Sequence, residues 1–210
     1  MKTKIKFLVL VLILGITIGH ATAQEVKQKG TNEFMVEIDP IPIIMGGFGG
    51  HFGWSPKKSE HFTFGLSFIA QATYPKAFID LYDQNKEMGW GVKINQGMGL
   101  WTHYYFDQRN QGWFVGLQLF TQEMEITNEN FPGETDRTNT ILIAAQGGYL
   151  WYPFKKKKLY LRPWAGLGYQ SVVSGSFDPD SVDPDLEVGD LEYYLAPVMP
   201  FATVHFGYRF

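Results

Sequence analysis

The 210-residue chain has no cysteine, so disulfide frameworks, thiolate metal sites, thiol nucleophiles and a lipid-anchored cysteine are all excluded. Charge is sparse and nearly balanced. The 18 Lys and Arg against 21 Asp and Glu leave a net −3, without the basic excess that a nucleic-acid partner requires. Long hydrophobic runs are missing as well. The longest is "FLVLVLILGITI" (7–18), 12 residues where a transmembrane helix needs about 20. What remains plentiful is aromatic residues (16%) and glycine (23), the currency of strands and tight turns.

The apolar run has a different reading. Lys2, Lys4 and Lys6 precede it and the small-residue stretch "ATA" (21–23) follows it, just before Gln24. A basic start, a short apolar centre and a small-x-small end make a secretory signal peptide. Residues 1–23 are therefore expected to be removed, leaving 24–210 as one domain. Loss of the three lysines takes the net charge from −3 to −6.

The mature part alternates. In "HFTFGLSFIAQATY" (61–74), Phe62, Phe64, Leu66, Phe68, Ala70, Ala72 and Tyr74 share one parity, with His61, Thr63, Gly65, Ser67 and Gln71 on the other. A period of two marks a β-strand with one apolar and one small or polar face. The same pattern runs through 89–106, 112–127, 138–152, 159–173 and 190–210. In 89–106 it sets Trp90, Val92, Ile94, Met98 and Leu100 on one face. The connections alternate between short (55–60, 107–112, 153–158) and long (75–88, 127–138, 174–190). All short turns then fall at one end and all long loops at the other, which is the anatomy of a membrane barrel. A lipocalin-like soluble barrel would carry charges on its polar face. Here that face is mostly Gly, Ser, Thr, Gln and Asn, which suits a crowded lumen. Aromatics gather at both strand ends (Trp113, Tyr149 and Trp151; Tyr74, Trp90 and Tyr169), as in two interfacial girdles.

With "LYLRPWAGLGYQ" (159–170) and the terminal "HFGYRF" (205–210), the mature chain resembles the small outer-membrane β-barrel proteins of OmpA, OmpX and OmpW type. The resemblance implies an all-β, eight-stranded antiparallel transmembrane up-and-down β-barrel in the bacterial outer membrane. It also implies that Phe206, Tyr208 and Phe210 form a signal read by the barrel-insertion machinery. Six strands follow from 55 onward, and an even number requires two more from 31–54. These are placed at about 32–39 and 43–54, with a turn around Pro40–Pro42.

Four histidines of the mature chain, His51, His61, His103 and His205, take lumen parity near the short-turn end. Such a cluster suits a metal or a proton-responsive site. A small barrel also fills its lumen with hydrogen-bonded side chains, here Lys93, Tyr105, Gln118, Arg162 and Arg209, and that is the preferred reading. No carboxylate is expected on the same faces. No catalytic residue, cofactor or metal is assigned. The lipid A deacylases and acyltransferases of this barrel class need a nucleophile beside a histidine, but Gly207 stands where a serine two residues after His205 would be needed.

Three further stretches have simple readings. The acidic 174–192 lacks the calcium-loop pattern and reads as a solvated loop. Lys57, Lys58 and "KKKK" (155–158) lie in short turns, and 75–81 after Pro75 suggests a short helix. The expected function is non-enzymatic: an envelope structural or surface-interaction role, or transport of a small solute or lipophilic ligand. A lipid A-modifying enzyme is the alternative. Expected partners are outer-membrane lipids, lipopolysaccharide and the insertion machinery, with no nucleic acid, and the chain is expected to be a monomer.

Overall fold

The computed structural model describes residues 31–154, 158–175 and 193–210. The expected signal peptide, Lys155–Lys157 and most of the acidic stretch lie outside them.

Ten elements follow in order: β1 (Glu33–Ile38), α1 (Pro40–Ile44), β2 (Phe48–Ser55), β3 (Phe62–Thr73), α2 (Lys76–Ile79), β4 (Trp90–Tyr105), β5 (Gly112–Asn128), β6 (Asp136–Leu150), β7 (Leu159–Ser174) and β8 (Val198–Arg209). The eight strands pair antiparallel with their sequence neighbours and close into a barrel. The seam joins β1 to β8, from Met35↔Arg209 to Ile38↔Phe206. Closure leaves no lateral edge with unpaired N–H and C=O groups along that seam, which is what a strand in hydrocarbon requires.

Alternation places the side chains as expected over the part of the barrel nearer the short turns. Leu66, Met98, Leu100, Leu117, Ile143, Leu167 and Phe206 point outward and are exposed, while Thr63, Ser67, His103, Gln146, Arg162 and His205 point inward and are buried. Glycines make room for the larger inward side chains. A Cβ on Gly65 would collide with the Trp101 ring, and one on Gly116 would collide with the His103 ring.

Two expectations need correction. First, Pro40–Ile44 is a helical turn rather than part of a turn and strand, and β2 starts at Phe48, not at 43. Asp39 caps α1 by accepting from the Ile41 N–H at 3.0 Å, and Pro40 sits where a helix has no use for its N–H. Neither proline could have donated to a ladder. The β1–β2 hairpin is consequently short: its ladders end at Ile38↔Phe206 on β8 and at Phe48↔Ala70 on β3.

Second, parity does not persist along β3 and β4. Gln71 adopts φ +56°, and the β4–β5 register shifts between Ile94 and Gln96, leaving Asn95 as an extra residue. An extra residue turns every following side chain to the other face. Ala72, Trp90, Val92 and Ile94, expected on the lipid face, are therefore buried inside with Met124, Ile126 and Ile79 of α2. Lys93, expected in the lumen, takes the outward parity, in register with Glu125. The outer face here is polar: Asn95 donates to Glu123 (3.1 Å), and Arg137 lies 3.9 Å from the same carboxylate. The barrel thus inverts along its length. Toward the short turns it is apolar outside and polar inside; toward the long loops the interior is apolar, and β4, β5 and β6 turn polar side chains outward while β7 and β8 still expose Val173 and Val198.

Candidate functional site

The polar half of the lumen is organised around Arg162. This side chain is buried and pairs through Nη2 with Glu37 Oε2. Its Nη1 lies 2.9 Å from His103 Nδ1, and the guanidinium sits over the rings of Trp101 (5.1 Å) and Phe114 (5.7 Å). Tyr160 donates to the second Glu37 oxygen at 2.6 Å. The Trp164 indole N–H donates to His205 Nε2 at 3.0 Å, and His205 Nδ1 lies 3.0 Å from Glu37 Oε2 and 2.9 Å from Arg162 Nη2. Met35, Trp101, Tyr105, Phe114, Leu150 and Tyr160 pack the remaining space as a cluster of buried residues. Charge, hydrogen bonds and aromatic bulk together make a plug.

Three of the four expected histidines converge here, and one does not. His103 and His205 contact Arg162, and His51 lies with its ring centroid 4.3 Å from that of His205. His61 stays at the short-turn end: its Nδ1 pairs with the Tyr105 carbonyl at 2.8 Å and its ring stacks on Tyr104. It precedes β3 by one residue, so strand parity does not govern it. The expectation that no carboxylate shares these faces is corrected, because Glu37 is at the centre and Asp39 lies 3.5 Å from His205 Nε2. The alternation in "EFMVEI" (33–38) was the available signal: Glu33, Met35 and Glu37 share one parity.

Donor atoms of Glu37, His51 and His205 fall within 4.8 Å of one another, close enough to suggest a metal centre. The chemistry opposes it. The Arg162 guanidinium already neutralises Glu37 and lies 2.9 Å from His205 Nδ1, so an incoming dication would meet a fixed positive charge. The set fits an ion-pair network.

Beyond the plug lies a cavity of about 200 Å³. Its floor is polar: His51, Asp39, Ser67 and Gln118. Asp39 accepts from the Ile41 N–H and from Thr203 (2.9 Å), and Ser67 accepts from Gln118 (3.2 Å). The walls are apolar, among them Phe68, Phe120, Leu142, Trp164 and Phe201. Ile94 and Tyr74 from the apolar cap meet it on the side away from the plug.

The cavity is bounded on one side by α1. Above the end of the short β1–β2 hairpin, no strand bridges β8 to β3 among the described residues, and α1 occupies that sector. It is tied by Thr73 N–H to Met45 O (2.8 Å) and by Thr203 to Asp39. Ile43 and Ile44 face outward, exposed. The cavity lining includes the inward Ser67 and Gln118 and also Ile41, Phe68 and Pro200, which are exposed on the outside.

No protein-family description matches the chain, and no curated protein matches it. Solved structures similar to the chain include the following two. The N-terminal β-barrel domain of OprF from Pseudomonas aeruginosa is 15% identical over 86% of this chain and 99% of that one, with a TM-score of 0.46. A major outer membrane protein from Thermus thermophilus is 15% identical over 86% of this chain and 100% of that one, with a TM-score of 0.41. The architecture rests on the chain's own geometry. A closed ring of eight strands with an apolar outer belt and a polar, plugged lumen is an integral β-barrel of the bacterial outer-membrane type.

Proposed function

We propose that the protein is a non-enzymatic outer-membrane barrel that binds small lipophilic molecules reaching it from the bilayer, and that it is not a through-pore. The carrying observation is the cavity of about 200 Å³ whose lining passes from inward Ser67 and Gln118 to outward Ile41 and Phe68, in the sector where α1 stands in place of strands. A wall closed by side chains opens at lower cost than one closed by ladder hydrogen bonds, because a lost backbone pair in hydrocarbon has no water to replace it. Passage in the other direction meets the plug. The buried Arg162–Glu37 pair and the aromatic cluster fill the lumen between the cavity and the short turns.

In this reading the outward Phe206, Tyr208 and Phe210 are the segment offered to the insertion machinery, and lipid and lipopolysaccharide are the barrel's surroundings. The test uses the purified barrel in lipid vesicles. A brominated alkane should quench Trp164, which lines the cavity, and a Trp164→Phe variant should lose that part of the quenching. Planar bilayers should show no steady ion current. A sustained conductance, or quenching unaffected by Trp164→Phe, would count against the proposal. A change in lipid A acylation on overexpression would favour the enzymatic alternative.

A further inference from the structure

The cavity is specific in size and in its polar floor, and the geometry points to a ligand class: uncharged, single-ring lipophiles carrying one hydroxyl. This rests on the reading of the cavity as a lipophile site and names what fits it.

Size comes first. An engineered apolar protein cavity of about 150 Å³ takes up benzene. At about 200 Å³, this one has room for a single ring with a small substituent or two. A long acyl chain exceeds it. The walls favour a ring over a chain of equal volume, because Phe68, Phe120, Phe201 and Trp164 offer aromatic faces and edges.

The polar end comes second. His51 lines the floor and its ring makes no hydrogen bond to a described residue; Nδ1 is shut off from the cavity, which leaves Nε2 as the ring atom open to a ligand. The neighbouring polar groups are already engaged: Asp39 with Ile41 and Thr203, Ser67 with Gln118, and His205 with Glu37 and Trp164. An unmade buried hydrogen bond is costly, so a ligand that completes it gains relative to one that does not. A hydroxyl donates and accepts, and so serves either tautomer of the ring.

Charge is the third filter. A carboxylate head would sit beside Asp39, like against like. An ammonium head would meet Asp39 favourably, but the Arg162 guanidinium lies just below, between His103 and His205, and repels it. An ion of either sign also loses its hydration on the way in. The uncharged head is the one without a penalty.

The experiment measures binding of toluene, three para-substituted toluenes (4-methylphenol, 4-methylbenzoate and 4-methylbenzylamine) and the long-chain hexadecanol to the barrel in lipid nanodiscs. Saturation-transfer NMR reports binding, and an Ala144→Phe variant, which fills the cavity, supplies the background from partition into lipid. 4-Methylphenol should bind about tenfold more tightly than toluene, the value of one added hydrogen bond. His51→Phe should abolish that preference while toluene binding persists. The two charged compounds should match the Ala144→Phe background. Heat-modified gel migration checks that each variant forms a barrel, and if His51→Phe does not, His51→Ala replaces it. Equal binding of toluene and 4-methylphenol, or a preference that survives loss of His51, would overturn the assignment of the polar end and leave lipophile binding standing. Tighter binding of either charged compound, or of hexadecanol, would overturn the ligand class. If none of the compounds exceeds the Ala144→Phe background, the reading of the cavity as a lipophile site fails with it.

Discussion

Arg162 on β7 and Glu37 on β1 meet inside the lumen as a buried ion pair, although β8 stands between their strands. Both side chains reach across His205, which is itself bonded to Glu37, so three strands around the seam are fastened through one carboxylate. Both oxygens of Glu37 are engaged, by Tyr160, Arg162 and His205. The carboxylate is thus fully satisfied, as a buried pair requires, whereas Arg162 Nε is buried without a hydrogen-bond partner among the described residues.

Breaking that pair from one side should be expensive. Glu37→Gln leaves the Arg162 guanidinium buried without a counter-charge, and a loss of about 3–5 kcal/mol is expected. Urea unfolding in detergent micelles, followed by tryptophan fluorescence, measures it. The double variant Glu37→Leu with Arg162→Leu should recover most of the loss, because apolar replacements leave no orphaned charge. A double variant as unstable as the single one would show that the pair itself, rather than the orphan, sets the cost.

Much of this architecture is legible in the amino-acid order. β5, β6 and β8 keep one parity from end to end, and β7 does so as far as Val172, so reading every second residue assigns their faces correctly. The seam follows from the need of a membrane barrel to close. The inversion was not legible, because a bulge leaves no mark in composition: Asn95 and Gln71 are ordinary polar residues in an alternating run. Continuing the parity of Leu66 and Phe68 through Ala72 and Tyr74 is the natural extrapolation, and it places the apolar cap on the wrong face. Glu37 was hidden differently. Its strand is six residues long and abuts Pro40, too short for alternation to stand out against the prolines. The cavity was illegible for a third reason, since it exists only where α1 displaces the wall.

Deleting Asn95 tests the inversion. Without the extra residue, β4 would present Trp90, Val92 and Ile94 outward against water and lose its match to Met124 and Ile126. The variant should unfold from its long-loop end first, seen as early proteolysis near 74–89 while the short-turn half stays protected. Gln71→Gly, by contrast, should stabilise the barrel by about 0.5–1 kcal/mol, since a left-handed backbone carries no Cβ penalty at glycine. A destabilising effect there would mean that the Gln71 side chain, which donates to the Asn95 carbonyl at 3.3 Å, matters more than its backbone.

Gly65 carries the plug's packing. The Cβ added in Gly65→Ala would run into both the Trp101 ring and the Phe52 carbonyl. The Trp101 ring cannot swing freely, because it stacks on His103 at 4.4 Å and donates to the Leu66 carbonyl at 3.1 Å. Overpacking of this kind costs about 1–3 kcal/mol. Gly133 is the contrast: a Cβ there would have nothing within 4 Å, but φ is +101°, so the backbone and not a neighbour sets any cost. Paired urea curves for Gly65→Ala and for Gly65→Ala with Trp101→Phe should show the second variant regaining part of the loss.

The outer surface of β5 gives the decisive test of where the bilayer ends. Leu117 and Glu125 lie on the same face of one unbroken strand, eight residues apart, and differ only in their surroundings. Around Leu117, the outward neighbours are Val115, Leu119 and Ile143, all exposed apolar side chains. Around Glu125 they are Lys93, Asn95 and Arg137, in register or in hydrogen-bond reach. A spin label at Leu117 should therefore relax faster with molecular oxygen, which concentrates in hydrocarbon, and one at Glu125 with a water-soluble nickel chelate. The strand rise of about 3.4 Å per residue makes the separation about 27 Å along the strand, reduced by a tilt of roughly 40° to about 21 Å along the bilayer normal. That is enough to carry a residue from the bilayer interior into water. Equal oxygen accessibility at both labels would place the polar collar within the membrane and overturn the inverted barrel. A nickel preference at Glu125 with an oxygen preference at Leu117 places the bilayer boundary between those two residues.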